Sequence, residues 1–228
     1  MEILSIIPAR AGSKGIPGKN IKQLAGKPLI AHTILASLKS NYITRTVLST
    51  EDDTIKSIAL EYGAEVIDRP KELAEDETKT APVMLQVLDV LEKQNYTPEA
   101  VILLQATCPM RCEKQIDEAF DLFMNNDCDS VFAVMPCGNT HARWRMNLDG
   151  QPEGLYNYRE RPRRQDSHRH YPMFVETGSI YIIKTEVMKK VKDFIGENPL
   201  FYNSPPAVDI DTIEDFAKAE SLILQRNR

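Results

Sequence analysis

Short apolar runs alternate with amphipathic segments along most of the 228 residues, and that alternation admits few architectures. Residues 3–8 (ILSIIP) are apolar and brief, as suits a strand buried on both faces. From Pro28 the apolar residues of PLIAHTILASL recur at helical spacing, with the proline at a tolerated first-turn position. Strands are then expected at 46–50, 64–67, 100–105 and 130–135, and helices at 52–62, 81–94 and 113–125, Gly63 closing the first of these. A strand at 179–184 and a helix from about 213 to 225 follow. This βαβα order predicts an α/β fold with a mainly parallel sheet covered on both faces. Ligands of such sheets gather beyond the carboxyl ends of the strands. The stretch IIPARAGSKGIPGKN (6–20), QATCP after the fourth strand, and the segment after PPAVDID near the carboxyl terminus all fall there.

The rhythm breaks between 136 and 176, a polar stretch that holds the only tryptophan, Trp144, and the cationic run YNYRERPRRQD. About 40 residues without a βα period exceed an ordinary loop. The reading is one domain over 1–228 with an inserted excursion at about 137–176, read as a hairpin arm.

Residues 9–20 (ARAGSKGIPGKN) set three glycines among three cations. This is no P-loop, because five residues separate Gly12 from Gly18 and Lys19 precedes Asn20 instead of a hydroxyl residue. A dinucleotide fingerprint is excluded too, since no Gly-x-Gly occurs here. Gly12, Gly15 and Gly18 still allow backbone N–H groups to line a concave nest. Arg10, Lys14 and Lys19 offset much of a nucleoside triphosphate's charge, the arginine gripping two oxygens and each lysine acting as a point charge. A basic, turn-rich surface loop is the alternative. Its place after a buried strand, at the ligand end, favours the polyphosphate.

The net charge of −5 means the surface as a whole repels nucleic acid, so phosphate binding must rest on a local patch. No apolar run approaches the ~20 residues that cross a bilayer. The opening MEILSIIPAR carries no cationic leader, and Cys108, Cys112, Cys128 and Cys137 lack zinc-ribbon spacing. A cytoplasmic protein with reduced cysteines is expected, with neither nucleic acid nor membrane as partner.

Asp209 and Asp211 stand two apart. On an extended segment both carboxylates face one side and can share a magnesium ion. Asp211, with Glu214 three residues on, equally resembles a helix capping box, which leaves Asp209 unexplained. Gln105 suits a sugar hydroxyl or a base edge, or simply caps a sheet edge. Arg159, Arg161, Arg163 and Arg164 read as a solvated face or as a nucleic-acid patch that Glu160 and Asp166 dilute. His168 and His170 form an H-x-H without a third ligand, and His32, inside a helix, reads as structural.

The stretch PARAGSKGIPGKN resembles the opening signature of the N-acylneuraminate cytidylyltransferases. RPKELAED (69–76), LLQATCPMR (103–111), RRQD (163–166) and DIDT (209–212) follow in that family's order and span nearly the whole chain. The related KDO enzymes are less similar, since their loop lacks the S-K-G-x-P-x-K-N form. The resemblance implies a three-layer, Rossmann-like nucleotidyltransferase fold whose inserted arm serves dimerisation. It implies transfer of CMP from CTP to the anomeric hydroxyl of an acidic nine-carbon 2-keto sugar, with Mg2+ or another divalent cation as cofactor, in a homodimer. On this reading Arg10, Lys19 and Asp211 are catalytic, and Asp209 and Asp211 hold the metal. Ala9, Gly12, Ser13, Lys14, Asn20, Arg69 and Thr80 join Arg10 and Lys19 at the nucleotide. Gln105, Thr107, Arg163, Arg164, Thr177 and Gly178 meet the sugar, an arm arginine gripping its carboxylate. Two positions depart from the family: Cys108 where serine is common, and Thr177-Gly178 where Asn-Gly is common. The alternatives are a cytidylyltransferase for legionaminate, KDN or KDO, and a non-catalytic nucleotide-binding regulator on the same fold.

Overall fold

The computed structural model describes residues 1–137, 144–160, 163 and 173–226. Its strands are β1 Ile3–Pro8, β2 Gln23–Leu24, β3 Lys27–Pro28, β4 Arg45–Thr50, β5 Glu65–Asp68, β6 Ala100–Leu103, β7 Ser130–Pro136, β8 Trp144–Met146, β9 Pro152–Gly154, β10 Phe174–Lys184 and β11 Pro199–Asn203. The helices are α1 Leu29–Lys39, α2 Asp53–Glu61, α3 Thr80–Glu92, α4 Glu113–Met124, α5 Thr185–Val191 and α6 Ile213–Arg226. The chain divides into two compact units, residues 1–133 with 177–228, and residues 134–176.

Seven strands form one sheet in the order β11-β7-β10-β6-β1-β4-β5. β1 pairs in parallel with β4 and β6, and β4 with β5. β10 runs antiparallel to β6, Tyr181 opposite Leu103. The expected α/β architecture with a mostly parallel sheet is therefore borne out. Ile3, Leu4, Ile6 and Ile7 of β1 are all buried, which is why its sequence is continuously apolar and not alternating.

Local chemistry sets the helix ends. Asp52 caps α2 by accepting the Ile55 N–H at 2.8 Å, and Gly63, at φ 90°, turns the chain out of it. Glu113 of α4 follows Cys112, whose N–H is satisfied by Gln115 Oε1 at 2.9 Å. Pro28, expected inside the first helical turn, instead stands one residue before it as the N-cap of α1.

Further features differ from the sequence-based expectation. The fourth strand ends at Leu103, short of 105, because the Gln105 carbonyl accepts from Cys108 N–H and the Arg111 guanidinium and leaves the ladder. β10 begins at Phe174, not at 179. α5 follows that strand without an intervening turn residue, and β11 was not foreseen. The β2–β3 hairpin has two residues per strand, too few to show any period.

In the unit of residues 134–176, β8 and β9 pair as an antiparallel hairpin, with Arg145 holding Glu153 at 2.8 Å and Trp144 edge-on to Tyr156.

Candidate active site

The loop after β1 is held by its own backbone. Ala9 N–H donates to Ser49 O at 3.0 Å, Ala11 N–H to Glu51 Oε1 at 2.8 Å, and Asn20 Nδ2 to Arg10 O at 2.9 Å. Gly18 adopts φ 64°, a left-handed conformation that starts the turn carrying Lys19. Gly15 lies so close to the carboxyl-terminal segment that a Cβ on it would stand 2.3 Å from Asp211 O. A glycine is required at that contact.

A cavity of about 350 Å³ opens beyond the carboxyl end of β1. Arg10, Ser13, Lys14, Lys19 and Asn20 line it from the glycine loop. Arg69 and Thr80 line it from the segments after β5 and at the start of α3, Gln105 and Thr107 from the turn after β6, and Asp211 from the carboxyl-terminal segment. The structure thus brings ten of the expected site residues around one space. Ala9 is buried and does not line it. Gly12 and Asp209 are outside its lining.

Lys19 Nζ donates to Ile210 O at 2.6 Å and lies 3.3 Å from Asp211 Oδ1. Arg10 and Lys14 both ion-pair with Asp76, Lys14 at 2.8 Å, and these contacts, Lys14's first, hold the Asp76 carboxyl below the usual carboxylate range. Arg69 is buried, its guanidinium donating to Ser49 O at 2.6 Å and to Ser49 Oγ at 3.3 Å, and burial pushes its pKa down.

Val208 and Ile210 are buried while Asp209 and Asp211 are exposed. That alternation turns both carboxylates to one side of the segment, which Ile210 N–H pins to Thr107 O at 2.9 Å. Capping of α6 falls to another pair. Thr212 Oγ1 accepts the Asp215 N–H at 3.2 Å, and Asp215 Oδ2 accepts the Thr212 N–H at 3.0 Å. Asp211 is released from that duty. Two exposed carboxylates fit magnesium, a hard ion that takes one or two carboxylates and leaves its other positions to water and phosphate oxygens. Among the described residues no group of three or more His, Cys, Asp or Glu forms a metal cluster.

Gly178, at φ 70°, lies beside Asp209 and Gln105: a Cβ on it would be 3.2 Å from Asp209 Oδ2 and 3.6 Å from Gln105 Oε1. Thr177 is buried, and its hydroxyl is engaged with Ser179 Oγ at 2.8 Å and Ala133 O at 3.3 Å, so it does not line the cavity. Cys108 is buried too, and burial, followed by the Asp209 charge, pushes its thiol up to about 12. It is a neutral packing group. Arg163 is exposed on the other unit. Arg161, Arg164, His168 and His170 lie outside the described residues. His32 Nε2 stands 2.9 Å from Leu24 O, and burial lowers its pKa.

Glu75, Thr78 and Leu73 also line the cavity, and Asp76 clasps its cations, though none of the four was singled out from the sequence. They lie in or just after RPKELAED, where three acidic residues are ordinary for a surface loop; only the fold shows them facing the cationic one.

A family model for cytidylyltransferases matches residues 4–222. The chain is 36% identical to CMP-N,N'-diacetyllegionaminic acid synthase of Legionella pneumophila over 98% of this chain and 97% of that protein. It is 35% identical to N-acylneuraminate cytidylyltransferase A of Danio rerio, over 98% of this chain but 51% of that longer protein. Among solved structures, CMP:2-keto-3-deoxy-manno-octonic acid synthetase complexed with CTP is similar in fold, with a TM-score of 0.74 at 16% identity, covering 99% of this chain and 100% of the other.

Proposed function

This chain belongs to the cytidylyltransferase family of nucleotidyltransferases, and from that premise we propose that it transfers CMP from CTP to the anomeric hydroxyl of a nine-carbon 2-keto sugar acid of the N-acylneuraminate type. The hydroxyl oxygen forms a bond to the α-phosphorus as the bond to the β-phosphate oxygen breaks. Pyrophosphate leaves, and the hydroxyl proton is released. One observation carries the reading: Lys19 and Asp211 meet at the rim of one cavity, so cations and acidic residues address the same space.

In such a transfer, positioning and charge neutralisation supply most of the acceleration. Arg10, Lys14 and Lys19 hold the phosphates and stabilise the departing pyrophosphate. Gln105 and Thr107 orient the acceptor with neutral polar groups, and Asn20, Arg69 and Thr80 shape the nucleoside end. Bound by Asp209 and Asp211, magnesium would neutralise phosphate charge and acidify a hydroxyl that reached it. No histidine among the described residues lines the cavity, so none is assigned as base. Arg163 and Arg164 are assigned to the acceptor's carboxylate within a homodimer, and the cytoplasm is the assigned location. No described helix is long and apolar enough to cross a membrane.

Among acceptors, the Legionella relative favours a second reading, legionaminate, because the similarity runs through nearly the full length of both chains. Pyrophosphate release with CTP and Mg2+ against N-acetylneuraminate, legionaminate, KDN and KDO separates these. Release with one of the first two is expected. Release with KDO alone contradicts the nine-carbon assignment, and CTP binding without release for any sugar acid indicates a regulator.

A further inference from the structure

Arg111 is 6% exposed and does not line the cavity. Its Nη1 donates to Ser179 O at 2.5 Å and to Gln105 O at 3.4 Å. Its Nη2 donates to Thr33 Oγ1 at 2.8 Å and to Gln105 O at 3.3 Å. Its buried Nε has no partner, and among the described residues no carboxylate pairs with it. A buried cation without a counter-charge is costly, and an apolar side chain of similar volume would avoid that cost. What the guanidinium supplies in return is reach: one planar fork spans α1, the turn after β6, and β10.

Two of those anchor points matter to the cavity. The Gln105 carbonyl also receives the Cys108 N–H at 3.3 Å, closing the turn that turns Gln105 and Thr107 to the cavity. Ser179 follows Gly178, which faces Gln105 Oε1 and Asp209. We propose that Arg111 is a positioning residue that fixes Gln105 against the Gly178 segment and thereby sets the acceptor side of the cavity, while the cations at the phosphate side are placed without it. The assignment of that side to the acceptor rests on the function proposed above; the pinning of the two segments does not.

The test uses Arg111→Lys, Arg111→Met, Gln105→Ala and the Arg111→Met/Gln105→Ala double variant. With the sugar acid that the wild type accepts, Arg111→Lys is expected to lower kcat/KM for the acceptor ~100-fold, the scale of a misplaced reacting geometry. The KM for CTP should stay within about twofold. The double variant should be no worse than the poorer single one, since both changes disable the same wall. Hydrogen exchange in Arg111→Lys should quicken ~10-fold at residues 105–108 and 178–180 and, outside the turn of α1 that carries Thr33, nowhere else. Additive losses, equal damage to both substrates, or quickening spread over the whole protein would overturn the proposal. Should Arg111→Met fail to fold, the lysine variant carries the test. If the wild type uses no sugar acid, the functional reading falls, and the exchange pattern still decides the role of Arg111.

Discussion

Lys19 and Asp211 are 192 positions apart in sequence, yet the lysine Nζ lies 3.3 Å from an aspartate carboxylate oxygen and 2.6 Å from the carbonyl of Ile210. The glycine loop after the first strand and the acidic segment before the last helix therefore form two lips of one cleft. Lys19 is mostly buried at 12% side-chain exposure, whereas Asp211, at 76%, is open to solvent. The lysine is fixed by protein groups, and the carboxylate stays available to a ligand.

Replacing Lys19 with alanine should damage CTP use far more than acceptor use. A loss of ~100-fold in kcat/KM for CTP is expected, with the acceptor KM within about threefold of wild type. Steady-state kinetics with each substrate varied in turn would check this; equal losses for both would remove Lys19 from the phosphate side.

Gly15→Ala places a methyl 2.3 Å from a backbone oxygen that cannot swing away. The two lips must part. We expect a destabilisation of ~2 kcal/mol and at least ~10-fold less turnover, read from urea denaturation and pyrophosphate release. Wild-type behaviour in both would show that the loop does not close on Asp211 in solution.

Asp76 holds Arg10 and Lys14, the cations assigned to phosphate, so an entering triphosphate has an internal competitor. Asp76→Asn should tighten CTP binding about threefold at low salt, with the gain fading at high salt, as calorimetry would show. The folded-state pKa lies below the ordinary 3.8, so the clasp is complete at neutral pH and above that value. It is lost as the pH falls below 3.8 through the lowered folded-state pKa. The difference in melting temperature between wild type and Asp76→Asn should vanish over that acidic window. Weaker CTP binding in the variant would mean that Asp76 orients the cations instead of competing for them.

Thr212 and Asp215 cap α6, so Thr212→Ala should cost about 1 kcal/mol of stability. Asp211→Ala should leave the melting temperature near wild type. A large stability loss in Asp211→Ala alone would return that residue to a structural role.

The parallel sheet was legible because β1 and β6 are continuously apolar and α2 carries its own stop, Gly63, whereas the order of its strands is set by pairings between segments far apart in the chain. The glycine loop was legible for the same reason: Gly18 and its neighbouring cations follow a strand that can only be internal. Asp211 stayed ambiguous in sequence, since a carboxylate before T-I-E suits both a cap and a metal, and only the structure shows that Thr212 and Asp215 take the cap. Arg111 and Asp76 were invisible as site residues because their meaning lies in contacts made across 68 and 66 positions of chain. Thr177 shows the reverse case: a polar residue placed at the sugar by resemblance whose hydroxyl is spent on Ser179 and Ala133.

The most direct test is the magnesium dependence of CTP binding in wild type and Asp211→Ala, measured by calorimetry with and without Mg2+. Magnesium should strengthen CTP binding to the wild type at least ~10-fold and have little effect on the variant, which keeps Arg10, Lys14 and Lys19. An equal magnesium response in both proteins would contradict the assignment of the Asp209–Asp211 pair to the metal that faces the cationic loop.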